Sequence, residues 1–159
     1  LNARNNYRST ALMIACDNGH KDVVQLLLDN SERIELNARS SNNSKKTAFI
    51  CACENGHKDI VQMIVEHSEG IDLNAKADDT GRTAFMAACR YGHKDVVKLL
   101  LNYPNRIELN AKDDDERTAF MIAIMNGTKC KYVVWLLDKY EDIIDLTLPL
   151  KRKKKFNRK

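Results

Sequence analysis

The sequence predicts an all-α array of stacked helix-turn-helix units. Three observations predict it: one phrase recurs four times, each copy carries its own helix-start and turn signals, and each holds more apolar surface than a single helix pair can cover. The copies read TALMIACDNGHKDVVQLLL from Thr10, TAFICACENGHKDIVQMIV from Thr47, TAFMAACRYGHKDVVKLLL from Thr83 and the divergent TAFMIAIMNGTKCKYVVWLL from Thr118. Their threonines stand 37, 36 and 35 residues apart. A fixed period of this size marks supersecondary units that stack on one another.

Each unit opens on a threonine, whose hydroxyl can accept a bond from a free backbone N–H at a helix start, followed by an alanine-rich apolar run. Glycines at 19, 56, 92 and 127 follow that run. Glycine enters the left-handed region at little cost, so these positions are expected to end the first helix and turn the chain back. Asp22, Asp59 and Asp95 then open a second helix, where a carboxylate complements the macrodipole. The second helices carry wide apolar faces, such as Val23, Val24, Leu26, Leu27 and Leu28 in the first unit. Helices this short are marginal alone, so each unit needs its neighbour. Alanines at 11, 15, 48, 52, 84, 88, 119 and 123 remove bulk where the two helices of a unit meet.

The pattern resembles the ankyrin repeat, a unit of about 33 residues with a Thr-Pro-Leu-His phrase, a Gly-His turn and an apolar second helix. Four copies share Thr, Ala and Gly at matching offsets, three share Gly-His, and Leu-Asn-Ala recurs at 1–3, 36–38, 73–75 and 109–111. The resemblance runs from Leu1 to about Leu148, and 149–159 forms a basic tail. It implies a curved solenoid of helix pairs with β-hairpin fingers, and a protein partner lying across the fingers and the first-helix surface. The family's proline is Ala at 11, 48, 84 and 119, and its histidine is Met13, Ile50, Met86 and Met121, so the usual histidine-to-backbone bonds do not carry over. Leu1-Asn2-Ala3 looks like the end of a preceding unit, which suggests further repeats upstream or a fragment. Asp138 replaces the Leu28, Val65 and Leu101 of the other units, a polar change that suits a final repeat.

On the positions matching the family's binding surface, the candidate contact residues are Arg4, Tyr7 and Arg8 in the first finger, and Arg39, Lys45 and Lys46 in the second. Asp78 and Asp79 follow in the third, and Asp113, Asp114, Asp115 and Glu116 in the fourth. Arg90 and Tyr91 precede a turn glycine, and Tyr and Arg are enriched among interface anchors. Tyr91 could equally cover a neighbouring repeat. Formal charge falls along the fingers from +2 and +3 to zero and −2. Such polarity can orient an elongated partner through encounter rate and register, while charged exposed loops are also the ordinary condition of a protein surface. Trp135 stands where the other units have Gln25, Gln62 and Lys98, either packed under the C-terminal segment or an exposed anchor.

Catalytic, cofactor and metal sites are not expected. His20, His57 and His93 recur with the repeat, as turn residues do, and Cys51 and Cys53 diverge on a helix with no second half of a zinc site nearby. No phosphate-cradling loop or nucleophile elbow occurs. Five cysteines in apolar runs read as free thiols rather than a disulfide framework. No apolar run approaches the roughly 18 residues of a membrane span. The chain is therefore expected to be a cytoplasmic monomer. Its tail, with Lys151, Arg152, Lys153, Lys154 and Lys155, leaves nuclear import, nucleic-acid or acidic-lipid contact, and a plain solvated segment open. The last nine residues hold seven of the 26 Lys and Arg, and without them the net charge of +4 becomes −3. The leading function is an interaction module acting as adaptor, scaffold or inhibitor. The alternative is a nuclear or nucleic-acid-associated factor acting through the tail; a third is an array that positions a larger enzyme or channel.

Overall fold

The computed structural model describes residues 2–41, 45–67, 70–77 and 79–146. Among them lie eight α-helices in four pairs: α1 (Ala11–Asn18) with α2 (Lys21–Leu28), α3 (Ala48–Glu54) with α4 (Lys58–Glu66), α5 (Ala84–Tyr91) with α6 (Lys94–Leu100), and α7 (Ala119–Met125) with α8 (Lys131–Asp138). The first helices stack α1 on α3 on α5 on α7, and the second helices stack α2 on α4 on α6 on α8. The four units therefore lie side by side in chain order.

Each first helix starts as the repeat predicts. The threonine hydroxyls accept the N–H of Met13, Ile50, Met86 and Met121 at 3.3 to 3.4 Å. These caps satisfy donors that the helix cannot. Gly19 and Gly92 end α1 and α5 in the left-handed region. The alanines at 48, 52, 84, 88, 119 and 123 are buried between helices, around a core in which Phe49, Phe85, Ile64 and Leu100 are among the largest enclosed side chains. Cys16, Cys53 and Cys89 occupy equivalent, fully buried positions. Burial pushes these thiols, and Cys51 to about 12, above their ordinary value, so they act as small apolar groups.

Three sets of polar bonds tie each unit to the next. The Asn of every Leu-Asn-Ala uses both halves of its amide. Asn2, Asn37, Asn74 and Asn110 donate through Nδ2 to the carbonyls of Arg33, Gly70, Arg106 and Ile143 at 2.6 to 3.3 Å. Their Oδ1 atoms accept the N–H of Glu35, Asp72, Glu108 and Asp145 at 2.7 to 2.9 Å. An ionised Asp has no donor and a Leu has neither group, which explains the asparagine. The cation two residues later does similar work in the next row. Arg4 donates to the Arg39 carbonyl at 3.2 Å, Arg39 to that of Lys76 at 2.6 Å, and Lys76 to that of Lys112 at 2.7 Å.

The third set gives two of the recurring histidines, His57 and His93, a structural role. His57 Nε2 lies 3.1 Å from the Asp17 carbonyl and His93 Nε2 lies 2.7 Å from that of Glu54, in each case reaching the preceding unit. The fourth unit is two residues longer before its second helix, with 15 positions from Thr118 to Val133 against 13 from Thr83 to Val96, and a short 3₁₀ turn (Gly127–Cys130) absorbs them. Cys130 Sγ then takes the histidine's place, 3.1 Å from the Cys89 carbonyl and 3.2 Å from that of Arg90. This approach leaves no room at Gly92, where an added Cβ would lie 2.5 Å from the Lys129 carbonyl oxygen and φ is +78°. Gly92→Ala is expected to lower stability by about 2 kcal/mol, from left-handed strain and a backbone clash that no rotamer relieves. Urea unfolding of the variant checks this.

The β-hairpin fingers expected from the resemblance do not form strands among the described residues. The only β pairing there is an isolated bridge between Arg4 and Thr10. The described ends of each finger are instead joined by a single backbone bond: Asn5 to Ser9, Ser40 to Lys46, Ala77 to Arg82 and Asp113 to Arg117, at 2.9 to 3.2 Å. The residue two before each Thr is left-handed, at Arg8, Lys45, Gly81 and Glu116, and so leaves the extended geometry that a second strand would need there.

Candidate functional site

Between their fingers and first helices, the second and third units form a groove of about 310 Å³. Its finger wall is Lys46, Asp79 and Arg82; its helix wall is Glu54, Arg90 and Tyr91, with Ile50 and Ala87 between them. Lys46 is half-buried and pairs with Glu54. Burial alone would lower the Lys46 pKa, but the Glu54 carboxylate reverses this and holds the ammonium above its ordinary value. The ion pair fixes both side chains in the groove.

Tyr91 is 47% exposed. Its ring stacks on His93 with centroids 6.3 Å apart, and the Arg90 guanidinium lies 5.8 Å from its centroid. The ring is oriented by its own neighbours and still open to solvent, which is how a rigid aromatic anchor is presented. Two glycine-turn pairs are instead occupied within the stack: Asn55 donates to Asp17 Oδ1 at 2.9 Å and to the Cys51 carbonyl at 3.0 Å.

The groove thus gathers Lys46, Asp79, Arg90 and Tyr91 from the sequence-derived set, while the others distribute by finger. In the first finger Tyr7 is 68% exposed, Arg8 is exposed, and Arg4 is engaged with Glu35 and the Arg39 carbonyl. Fingers one and two are joined where the Ser41 N–H donates to the Tyr7 carbonyl at 2.9 Å. Arg39 spans to the third finger and Lys45 is exposed beside it. Asp78 and the tail residues Lys151, Arg152, Lys153, Lys154 and Lys155 lie outside the described residues.

The acids of the fourth finger divide into two kinds. The Asp113 carboxylate is wholly buried; its Oδ2 lies 2.8 Å from Arg117 Nη2 and 3.5 Å from Arg82 Nε, and its Oδ1 accepts the N–H of Asp115 and Arg117 at 3.0 and 2.9 Å. Burial works to raise its pKa, and the hydrogen bonds and charge of Arg117 outweigh burial and hold it below the ordinary carboxylate value. Asp113 therefore closes the finger from inside. Asp114, Asp115 and Glu116 are exposed, with Asp115 on Arg117 and Glu116 3.1 Å from Lys112. Glu54, in the pair before a turn glycine, and Arg82, a cation of the third finger, lie on the expected surface but outside the candidate contact set, since sequence does not show that Glu54 holds Lys46 or that Arg82 faces Asp113.

Among the described residues no group of three or more His, Cys, Asp or Glu could hold a metal ion, and no helix is long and apolar enough to cross a membrane. The family model described as ankyrin repeats (3 copies) matches residues 1–77 and 75–147. No curated protein matches the chain. Ankyrin repeats generally mediate protein–protein interaction and are typically without enzymatic activity. With nearly the whole stack matched, the helix pairs in chain order, and Thr caps and Gly turns repeated in every unit, the chain belongs to the ankyrin-repeat family.

Proposed function

We propose that this chain is an adaptor, scaffold or inhibitor that holds a protein partner along its fingers and first helices, anchored in the groove between units two and three. The observation that carries the reading is the pairing of an exposed, oriented Tyr91 with Arg90 over a groove whose charges are held in place by Glu54 and Lys46. Anchors of this kind supply most of the binding energy at protein interfaces, and fixed charges at the rim supply orientation. Exposed cations at Arg8 and Lys45 and exposed acids at Asp114, Asp115 and Glu116 keep the row of fingers polarised, which sets the register of an elongated partner.

Seven cations in the last nine residues support a second reading, in which the tail engages an import receptor or nucleic acid and takes a cytoplasmic protein to the nucleus. One experiment separates the two. A partner captured with the intact chain is expected to be lost by at least about tenfold with Arg90→Glu and Tyr91→Ala together, and to be retained after deletion of residues 149–159. Capture that survives the groove substitutions and disappears with the tail would overturn the groove reading.

A further inference from the structure

A second exposed patch lies on the second helices, none of which contributes to the finger groove. Tyr132 is 72% exposed and Trp135 is 60% exposed, one turn apart on α8. The equivalent positions in the other units are Asp22, Asp59 and Asp95 for Tyr132, and Gln25, Gln62 and Lys98 for Trp135. The stack thus places polar residues there three times and large aromatics once. Core packing does not require the rings, because most of each is in solvent.

The two rings border a hollow of about 380 Å³ between α6 and α8, with Leu136 at its edge and Lys94, Lys98, Lys139 and Asp95 around it. Lys94 Nζ lies 5.7 Å from the Tyr132 ring centroid and Lys139 Nζ 5.4 Å from that of Trp135. Three ammonium groups against one carboxylate give the rim a positive balance, and two of them, Lys94 and Lys139, make cation–π contacts with the rings. We infer that this hollow is a docking site for a short acidic peptide segment of another protein, with one apolar side chain seated between Tyr132 and Trp135 and flanking carboxylates on Lys94, Lys98 and Lys139.

Charge selects this occupant. The chain's own tail carries seven cations in nine residues and would meet three lysines of the same sign. A single-stranded nucleic acid binds by stacking successive bases on bare ring faces, and here an ammonium lies against one face of each ring, Lys94 on Tyr132 and Lys139 on Trp135. An acidic peptide needs only the space between the rings and the free lysine protons.

Trp135 is the only tryptophan in the chain and reports on the site directly. Its fluorescence is followed while the intact chain is titrated with a synthetic ten-residue peptide of Asp and Glu around one central Leu. A saturable emission change is expected. Affinity should weaken at least about tenfold when Lys94, Lys98 and Lys139 are changed together to Glu, when the peptide's Leu becomes Ser, or at high salt. These side chains are exposed, and circular dichroism verifies that the variant folds. No saturable change up to ~1 mM peptide, or equal affinity in the lysine variant, overturns the proposal. So does a response to oligothymidine with none to the peptide, which would assign the site to nucleic acid. Peptide binding seen only after residues 149–159 are removed would assign the hollow to the tail instead.

Discussion

Phe85→Ala is expected to destabilise the protein by about 3–5 kcal/mol, the range for removing a large aromatic from a core that cannot collapse around the gap. Phe85 is 1% exposed on α5, the first helix that packs against both α3 and α7. Its loss opens the seam on both sides of the third unit. Phe120 is the equivalent residue of the fourth unit, where Ile124 beside it is 37% exposed. Phe120→Ala should therefore cost less. Urea unfolding of the two variants tests the order, and a Phe85 variant no worse than the Phe120 variant would contradict it.

The second large effect is electrostatic. Asp113→Ala is expected to cost about 3 kcal/mol at neutral pH, because it leaves two guanidinium groups with no buried counter-charge. Arg82 Nε is buried and has no hydrogen-bond partner among the described residues, so the carboxylate 3.5 Å away is what compensates it. The pH dependence has a definite sign. The folded Asp113 pKa lies below the unfolded value, so its contribution is complete above that unfolded value and is lost as pH falls through the folded one. The gap between wild type and Asp113→Asn should be widest near pH 7 and close below about pH 4. Thermal unfolding across that range checks it; a constant gap would show that the carboxylate charge is not the stabilising group.

The repeat was legible in sequence because its marks are local. A threonine caps its own helix, a glycine makes its own turn, and a period is visible without knowing what touches what. Contacts between units were not. Leu-Asn-Ala is plain at four positions, yet nothing in one sequence says that both halves of the amide reach the next unit's link. The two-residue insertion after Gly127 hid the fact that Cys130 substitutes for the turn histidine. The four acids of the fourth finger look alike because sequence reports charge and not burial: Asp113 is inside its finger, while Asp114, Asp115 and Glu116 are outside. Trp135 was conspicuous as an oddity in its slot, but the lysines that frame it come from two helices and only the stack brings them together.

That stack is a chain of dependencies, in which each helix pair persists because the next covers its apolar face and accepts its asparagine and cation bonds, while the one before accepts its histidine bond. Native-state hydrogen exchange on Phe85→Ala is the most direct measurement of it. Amides of α3 and α7 should lose protection together with those of α5, since both neighbours lean on the weakened unit. Faster exchange confined to α5, with α3 and α7 unchanged, would show units that stand alone and would contradict the coupled array.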